Sequence, residues 1–362
     1  MINPETRLHI ITGIRNWYKN NARDLPWRRT SDPYAIWVSE IMLQQTRVET
    51  VIPYYKRWMS DLPTLQALVL AGQDQVLKLW EGLGYYSRVL NLHKAANLIV
   101  EGFDGKLPED IKSLESLPGI GRYTAGAISS IAFNHRSPIL DGNIKRVFSR
   151  LFDISTPIKT SETEKELWRI AEDLLPADDP GEFNQALMEL GALVCLPKIP
   201  DCDRCPLQAD CLAFKYNLQN DRPVRKLKSP LPHLQVTAAV IEKDGKFLLA
   251  KRPLEGLLGG MWEFPGGKQE KGETLPLTLE REIKEELDAS IEIEDHLGTY
   301  HHAYTHYKVT LHAFRCHLVS EELRMIYHTD LAWVTPDSME TYPMGKLDRT
   351  IAKQLNARPD QS

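Results

Sequence analysis

The chain has 362 residues, 42% of them hydrophobic and 26% charged, with a formal net charge of −5. That is too long for one average domain and too apolar for a disordered chain, and 44 Lys and Arg against 49 Asp and Glu exclude a protein that is basic throughout. No apolar run approaches the roughly 18 residues of a membrane span, and "MINPETRLHI" carries no apolar signal core, so a cytoplasmic protein is expected.

From the N-terminus, "TRLHIITGIRNWYKNN" sets Leu8, Ile11, Ile14 and Trp17 at helical spacing, which predicts a helix packed through that face. "DPYAIWVSEIMLQQT" opens on an Asp-Pro start signal, and Ile36, Val38, Ile41 and Leu43 predict a buried helix. "SETEKELWRIAEDLL" has a capping-box pattern, Ser161 followed by Glu164. No strand-like alternation occurs up to about residue 215, so this part is expected to be all-helical. Proline and basic residues over 221–232 predict a linker, and residues 215–230 hold five Lys or Arg against a single Asp. Beyond it the pattern changes. Two apolar runs flank Asp244-Gly245, a hairpin signal; "TLPLTLEREIKEELD" predicts a helix, and "HYKVTLHAFRCHLV" alternates like a strand.

In "SLESLPGIGRYTAGAISSIAF", Pro118 stops one helix and another starts after Gly121. Gly119 and Gly121 permit positive φ, and they bare N–H groups at a helix start, where the dipole favours an anion such as a DNA phosphate. A plain helix–helix connection with a glycine cap satisfies the same residues.

Three stretches carry a resemblance. "LPGIGRYTAGAI" resembles the helix-hairpin-helix of a DNA-repair glycosylase superfamily, and "PILDGNIKRV" resembles the segment bearing its essential aspartate. "WVSEIMLQQTRV" resembles the catalytic helix of MutY-type adenine DNA glycosylases. The resemblance implies an all-α domain at 1–220, with the hairpin at 114–133, then the linker and an α+β Nudix-like domain at 233–362. It implies hydrolytic release of adenine mispaired with 8-oxoguanine or guanine in duplex DNA, by a monomeric bacterial enzyme associated with the nucleoid when acting.

The chemistry asks for an acid to protonate the purine and a carboxylate to stabilise an oxocarbenium-like sugar. By resemblance these are Glu40, acting at adenine N7, and Asp141, facing the anomeric carbon by charge or through a transient adduct. Apolar neighbours around Glu40 predict a pKa raised toward neutrality. Tyr123 stands where strand-cutting relatives carry lysine, and a phenol cannot form an imine. Asn143 and Tyr123 are expected to support Asp141 and its water. Lys145 is expected to contact phosphate. The resemblance further implies an adenine pocket of Trp27, Arg28, Leu43 and Gln185, and duplex-filling Gln45 and Tyr85.

Four of the five cysteines fall in "CLPKIPDCDRCPLQADC", residues 195–211. In a reducing compartment such clustering argues for metal. Cys195, Cys202, Cys205 and Cys211 have one C-x2-C hook rather than the usual two of zinc sites. The uneven all-thiolate set suits a [4Fe–4S] cluster and matches the superfamily's cluster loop; zinc is the alternative. Cys316 is expected to be a buried small apolar residue.

"GGKQEKGETLPLTLEREIKEEL" matches the Nudix box, with Asp288 in place of its last glycine. Glu282, Glu285 and Glu286 share a helix face, where like charges repel unless a cation such as Mg²⁺ bridges them. In MutY-type enzymes this domain resembles the pyrophosphatase MutT and reads 8-oxoguanine, through a loop matched here by Tyr304, Thr305 and His306. Two rivals stand beside the glycosylase: a noncatalytic iron–sulfur DNA-binding protein, and an enzyme that also hydrolyses oxidised nucleoside triphosphates.

Overall fold

A computed structural model describes residues 2–225, 230–320 and 322–357. The chain divides into two compact units, Met1–Leu70 with Asn91–Lys228, and Ala71–Leu90 with Ser229–Ser362. A single boundary near residue 220 is what the sequence predicts; the contacts return residues 71–90 to the second unit. Residues 226–229 of the expected linker lie outside the described residues. No helix among the described residues is long and apolar enough to cross a membrane.

The first unit is helical: α1 (Pro4–Asn21), α2 (Pro33–Leu43), α3 (Val48–Asp61) and α4 (Leu65–Leu70), with α5 (Gln73–Trp80) counted in the other unit. It continues with α6 (Ser87–Gly102), α7 (Ile111–Glu115), α8 (Arg122–Phe133), α9 (Gly142–Leu151), α10 (Ser161–Leu174), α11 (Pro180–Leu193) and α12 (Leu212–Lys215). α2 starts where Asp32 accepts from the Tyr34 N–H, and every residue from Tyr34 to Met42 is buried. α1 packs differently from expectation. Ile10, Ile11, Ile14 and Tyr18 are buried, while Leu8 is exposed and Trp17 half-buried, because the buried stripe is centred one residue off the apolar spacing. α10 is capped by Thr160, whose hydroxyl accepts from the Thr163 N–H, and not by Ser161. The core of this unit joins α1, α8, α9, α10 and α11 around Phe148 and Phe183.

The second unit holds β1 (His233–Lys243), β2 (Lys246–Lys251), β3 (Trp262–Glu263), α13 (Leu275–Leu287), β4 (Ile291–Ala303), β5 (Lys308–Leu318), β6 (Asp330–Val334) and α14 (Lys346–Asn356). Its sheet runs β3-β2-β1-β5-β4 with β6 beside β2; β1 and β5 are parallel and the other strand pairs antiparallel. The Asp244-Gly245 turn joins β1 to β2 with both residues at positive φ (51° and 69°), the geometry that suits a two-residue hairpin. α13 covers one sheet face through Leu279, Ile283 and Leu287, and α14 covers the other through Ile351 and Leu355. Cys316 is buried among the α13 contacts, and burial pushes its thiol up to about 12.

Candidate active site

Glu40, on the third turn of α2, is 4% exposed. Burial among apolar side chains pushes its pKa from 4.5 to about 7, against the pull of a hydrogen bond from the Tyr123 hydroxyl (2.8 Å to Oε2). Tyr123 therefore supports Glu40 rather than Asp141, since α8 faces α2 and turns the phenol toward its carboxyl. Asp141 is the N-cap of α9: Oδ1 accepts from the Ile144 N–H (2.7 Å) and Oδ2 from Asn143 Nδ2 (3.0 Å). Burial raises the Asp141 pKa, and these hydrogen bonds oppose the rise. Asn143 is held in turn by Arg146, which donates to its Oδ1 (2.9 Å).

Glu40 and Asp141 line one cleft of about 410 Å³, within the range of small-molecule sites. Tyr123, Asn143, Trp27, Arg28, Leu43, Gln45 and Gln185 line it too. Gln45 is exposed and holds φ 60°. The Lys145 ammonium pairs with Glu164 at 2.5 Å.

The sequence missed Glu189. It is 1% exposed and takes Arg23 Nε, Arg23 Nη2 and Arg28 Nη2, each at 2.9 Å. Burial alone would raise its pKa, but the two guanidinium groups pull it to about 2. Nothing in "FNQALMELG" distinguishes Glu189 from Glu182; only the fold brings Arg23 to it.

At the hairpin, Gly119 alone adopts positive φ (79°), and a Cβ there would come within 2.8 Å of Asn91 Cβ. Gly121 is the N-cap of α8 at φ −95°, which any residue adopts, so the expected positive φ there is not found. A Cβ on Gly121 would meet nothing within 4 Å, so its backbone is open. Neither glycine lines the cleft.

The four cysteines are unbridged and line one cavity with Arg150. Arg150 donates to Cys195 Sγ (3.3 Å) and is 2% exposed. Burial raises the Cys202 and Cys211 thiols and pushes Cys205 up to about 12. Among the described residues, no three His, Cys, Asp or Glu side chains are placed to hold a single metal ion.

In the second unit, Glu282, Glu285 and Glu286 line a cavity with Glu263, Asp348, Arg252, Tyr304 and Tyr307. A guanidinium of the same helix pairs with two of these three carboxylates and leaves Glu286 out. Arg281 donates to Glu282 (3.0 Å), Glu285 (3.1 Å) and Glu273 (2.6 Å). Asp288 takes the left-handed conformation of the missing glycine (φ 48°), one that Asp tolerates better than most residues. Thr305, in the β4–β5 loop, shares a hydrogen bond with the hydroxyl of Tyr85; His306 beside it is exposed. Tyr85 itself is 39% exposed at φ 47°, whereas Tyr86 is core at 9%.

Comparison with known proteins fits this arrangement. Residues 38–173 match the model of the HhH-GPD superfamily base excision DNA repair proteins, and residues 236–354 match the NUDIX domain. The human adenine DNA glycosylase is 34% identical over 91% of this chain and 70% of its own length. The enzyme of that name from Buchnera aphidicola subsp. Acyrthosiphon pisum is 37% identical over 81% of this chain and 82% of its own. The one from Arabidopsis thaliana is 38% identical, and the match spans 55% of it. Among solved structures, a thermostable thymine-DNA glycosylase superposes with a TM-score of 0.55 at 28% identity, covering 59% of this chain and 98% of that one. Endonuclease III in complex with DNA shares the fold, with a TM-score of 0.52 at 19% identity over 60% of this chain and all of that one. With a HhH-GPD repair domain followed by a Nudix domain, and relatives of one name matched over 82% and 70% of their own length, the chain belongs to the adenine DNA glycosylase family.

Proposed function

We propose that this glycosylase removes adenine opposite 8-oxoguanine or guanine in duplex DNA, by hydrolysis and without cutting the strand. Adenine is a poor leaving group until protonated. A carboxyl with a pKa of about 7 keeps a proton near neutrality, so Glu40 is the acid that protonates N7. Asp141, fixed by Ile144 and Asn143, stabilises the sugar cation from across the cleft. Trp27, Arg28, Leu43 and Gln185 enclose the flipped base; Gln45 and Tyr85 fill the space it leaves in the duplex. The open backbone at Gly121, at the start of α8, receives a DNA phosphate, with Gly119 supplying the left-handed turn before it. Tyr304, Thr305 and His306 face the 8-oxoguanine.

One observation carries this reading: Glu40 and Asp141 share a single cleft, with a phenol rather than an amine at position 123. The test is timed release of free adenine from A:8-oxoguanine and A:G duplexes, with strand breaks scored before and after alkali. Breaks only after alkali are expected. Breaks without alkali, or no free adenine, would refute it.

Cys195, Cys202, Cys205 and Cys211 would hold a [4Fe–4S] cluster, which supplies a covalent staple for their loop when bound. The residues present fit it: four unbridged thiols line one cavity, and the buried Arg150 guanidinium, which donates to Cys195 Sγ, would offset the negative charge they carry as ligands. Arg150 also donates to the carbonyls of Leu196 (2.6 Å) and Gln219 (2.8 Å), so the same cation ties the loop to α9.

A second activity, Mg²⁺-dependent hydrolysis of an oxidised nucleoside triphosphate, is favoured by Glu286. Burial, with Glu263 and Glu282 beside it, pushes its pKa to about 8, so a divalent cation that neutralised these carboxylates would be favoured there. Glu282 and Glu285 would join it as ligands once Arg281 lets go. Incubating the intact protein with Mg²⁺ and 8-oxo-dGTP should release pyrophosphate; none from an enzyme that still releases adenine removes this activity.

A further inference from the structure

Tyr85 stands on an unusual turn. Gly82 (φ 101°), Gly84 (φ 70°) and Tyr85 itself (φ 47°) are all left-handed. Such a conformation is strained for an aromatic residue and persists only where the surroundings over-determine it.

Local side chains close the turn. Trp80 Nε1 donates to the Gly84 carbonyl (3.1 Å), and Arg88 donates to the Leu83 (3.2 Å) and Gly84 (3.1 Å) carbonyls. These contacts shape the turn without saying where it points. Its base is fixed by Glu81, the residue following α5. Arg349 of α14 grips the Glu81 carboxylate with Nε (2.6 Å) and Nη2 (3.0 Å), and the Met344 N–H approaches it at 3.4 Å. Arg349 also donates to the Met339 carbonyl (2.8 Å) and to that of Tyr342. At the tip, the Tyr85 hydroxyl meets Thr305. The turn, itself part of the second unit, is thus held at both ends by residues of the same unit.

We propose that the Glu81–Arg349 pair is a positioning device for lesion preference: it sets the Tyr85 hydroxyl against Thr305, so that both meet the base opposite adenine as one preformed surface. The proposal rests on the reading of Tyr85 and Thr305 as lesion-side contacts. Both members of the pair are mostly shielded (16% and 14% exposed side chains), and a two-pronged guanidinium–carboxylate contact fixes direction as well as distance. The other tie, Lys251 to Asp74 at 2.6 Å, is single and half-open on the Asp74 side, so it orients less.

The test measures single-turnover adenine release from A:8-oxoguanine and A:G duplexes by the full chain. Arg349→Gln should lower the ratio of the two rates by about tenfold while leaving the A:G rate within about twofold. Glu81→Gln, which keeps the shape and loses the charge, should reproduce it, and melting curves confirm that both variants are folded. Thr305→Ala combined with Arg349→Gln should lose no more preference than Thr305→Ala alone, because both act through one contact. An unchanged ratio, an equal fall on both substrates, or additive losses would overturn the proposal. If Thr305→Ala alone leaves the preference intact, the lesion-side reading of the loop fails and takes this proposal with it; a failure confined to Arg349 and Glu81 leaves that reading standing.

Discussion

The cleft of the first unit and the acidic cavity of the second both bury carboxyl groups with raised pKa values, and they do so in opposite company. Glu40, at about 7, has Trp37, Val38, Ile41 and Met42 as buried neighbours on α2, and a phenol as its hydrogen-bond partner. The guanidinium groups that line the same cleft, Arg23 and Arg28, are both held by Glu189. Glu286, at about 8, and Asp348, at about 7, sit in a cavity with Arg252, which donates to Glu263 (2.8 and 2.6 Å). His328 Nε2 lies 3.2 Å from Glu263 and 3.9 Å from Glu286. Burial is the main cause in both places, and the charges around each carboxyl differ. In the cleft Asp141 adds to the rise of Glu40 and Arg28 opposes it; in the cavity Glu263 and Glu282 add to the rise of Glu286 and Arg252 opposes it.

The comparison breaks first if the cleft carboxyls are dispensable. Glu40→Gln removes the proton and Asp141→Asn removes the charge, each nearly without change of shape. Either should slow adenine release by about 10² to 10⁴, the usual worth of a positioned acid or base, measured in single turnover with duplex binding as the control. Residual activity within tenfold of the parent would mean that chemistry happens elsewhere.

Next in size is stability. Glu40 titrates at about 7 in the folded chain against an ordinary 4.5, so its stabilising contribution is complete below pH 4.5 and is lost as pH rises through 7. Glu40→Gln escapes that loss. At pH 8 it should be more stable than the parent by on the order of 3 kcal/mol, and at pH 4 no different, as denaturant melts would read. Asp348 is raised in the same sense, also by burial, and loses its contribution as pH rises through about 7. Asp348→Asn should gain at least as much at pH 8, because its rise from an ordinary 3.8 to about 7 already includes the attraction of Arg252. No gain from Asp348→Asn would mean that Arg252 and its neighbours hold the anion as well as water does, and would set the two regions further apart.

How far the sequence foretold these sites follows from how local each signal is. The burial of α2, the Asp244-Gly245 hairpin and the clustering of four cysteines are written within a few residues, and they were legible. Partners brought together by the fold were not. Glu189 meets Arg23 across 166 positions, and Tyr123 meets Glu40 across 83. The α1 stripe misled because spacing alone does not say which of two overlapping faces is covered: Leu8 satisfies the period and stays exposed. β4 opens on the alternation Ile291-Glu292-Ile293-Glu294, but the pattern breaks at Asp295 and His296, where the ladder with β5 shifts register. The allegiance of α5 rests on side chains such as Glu81 and Asp74, which are ordinary helix-surface charges until Arg349 and Lys251 are placed.

The smallest effects separate the causes within the cleft. Glu189 is the anion that answers Arg23 and Arg28, and of these Arg28 lowers the Glu40 pKa through its charge. Glu189→Gln leaves that charge uncompensated, so the Glu40 proton should leave earlier, and the alkaline limb of adenine release should move down in pH. The Tyr123 hydrogen bond also lowers the Glu40 pKa, being made to the ionised form. Tyr123→Phe removes it and should move the same limb up. Each shift should be about one pH unit or less, since one neighbour among several is altered in each case. Opposite directions from two substitutions in one cleft would tie the profile to Glu40. If both variants moved the limb the same way, the titrating group would be another, and the cleft would no longer be the place where this protein stores its proton.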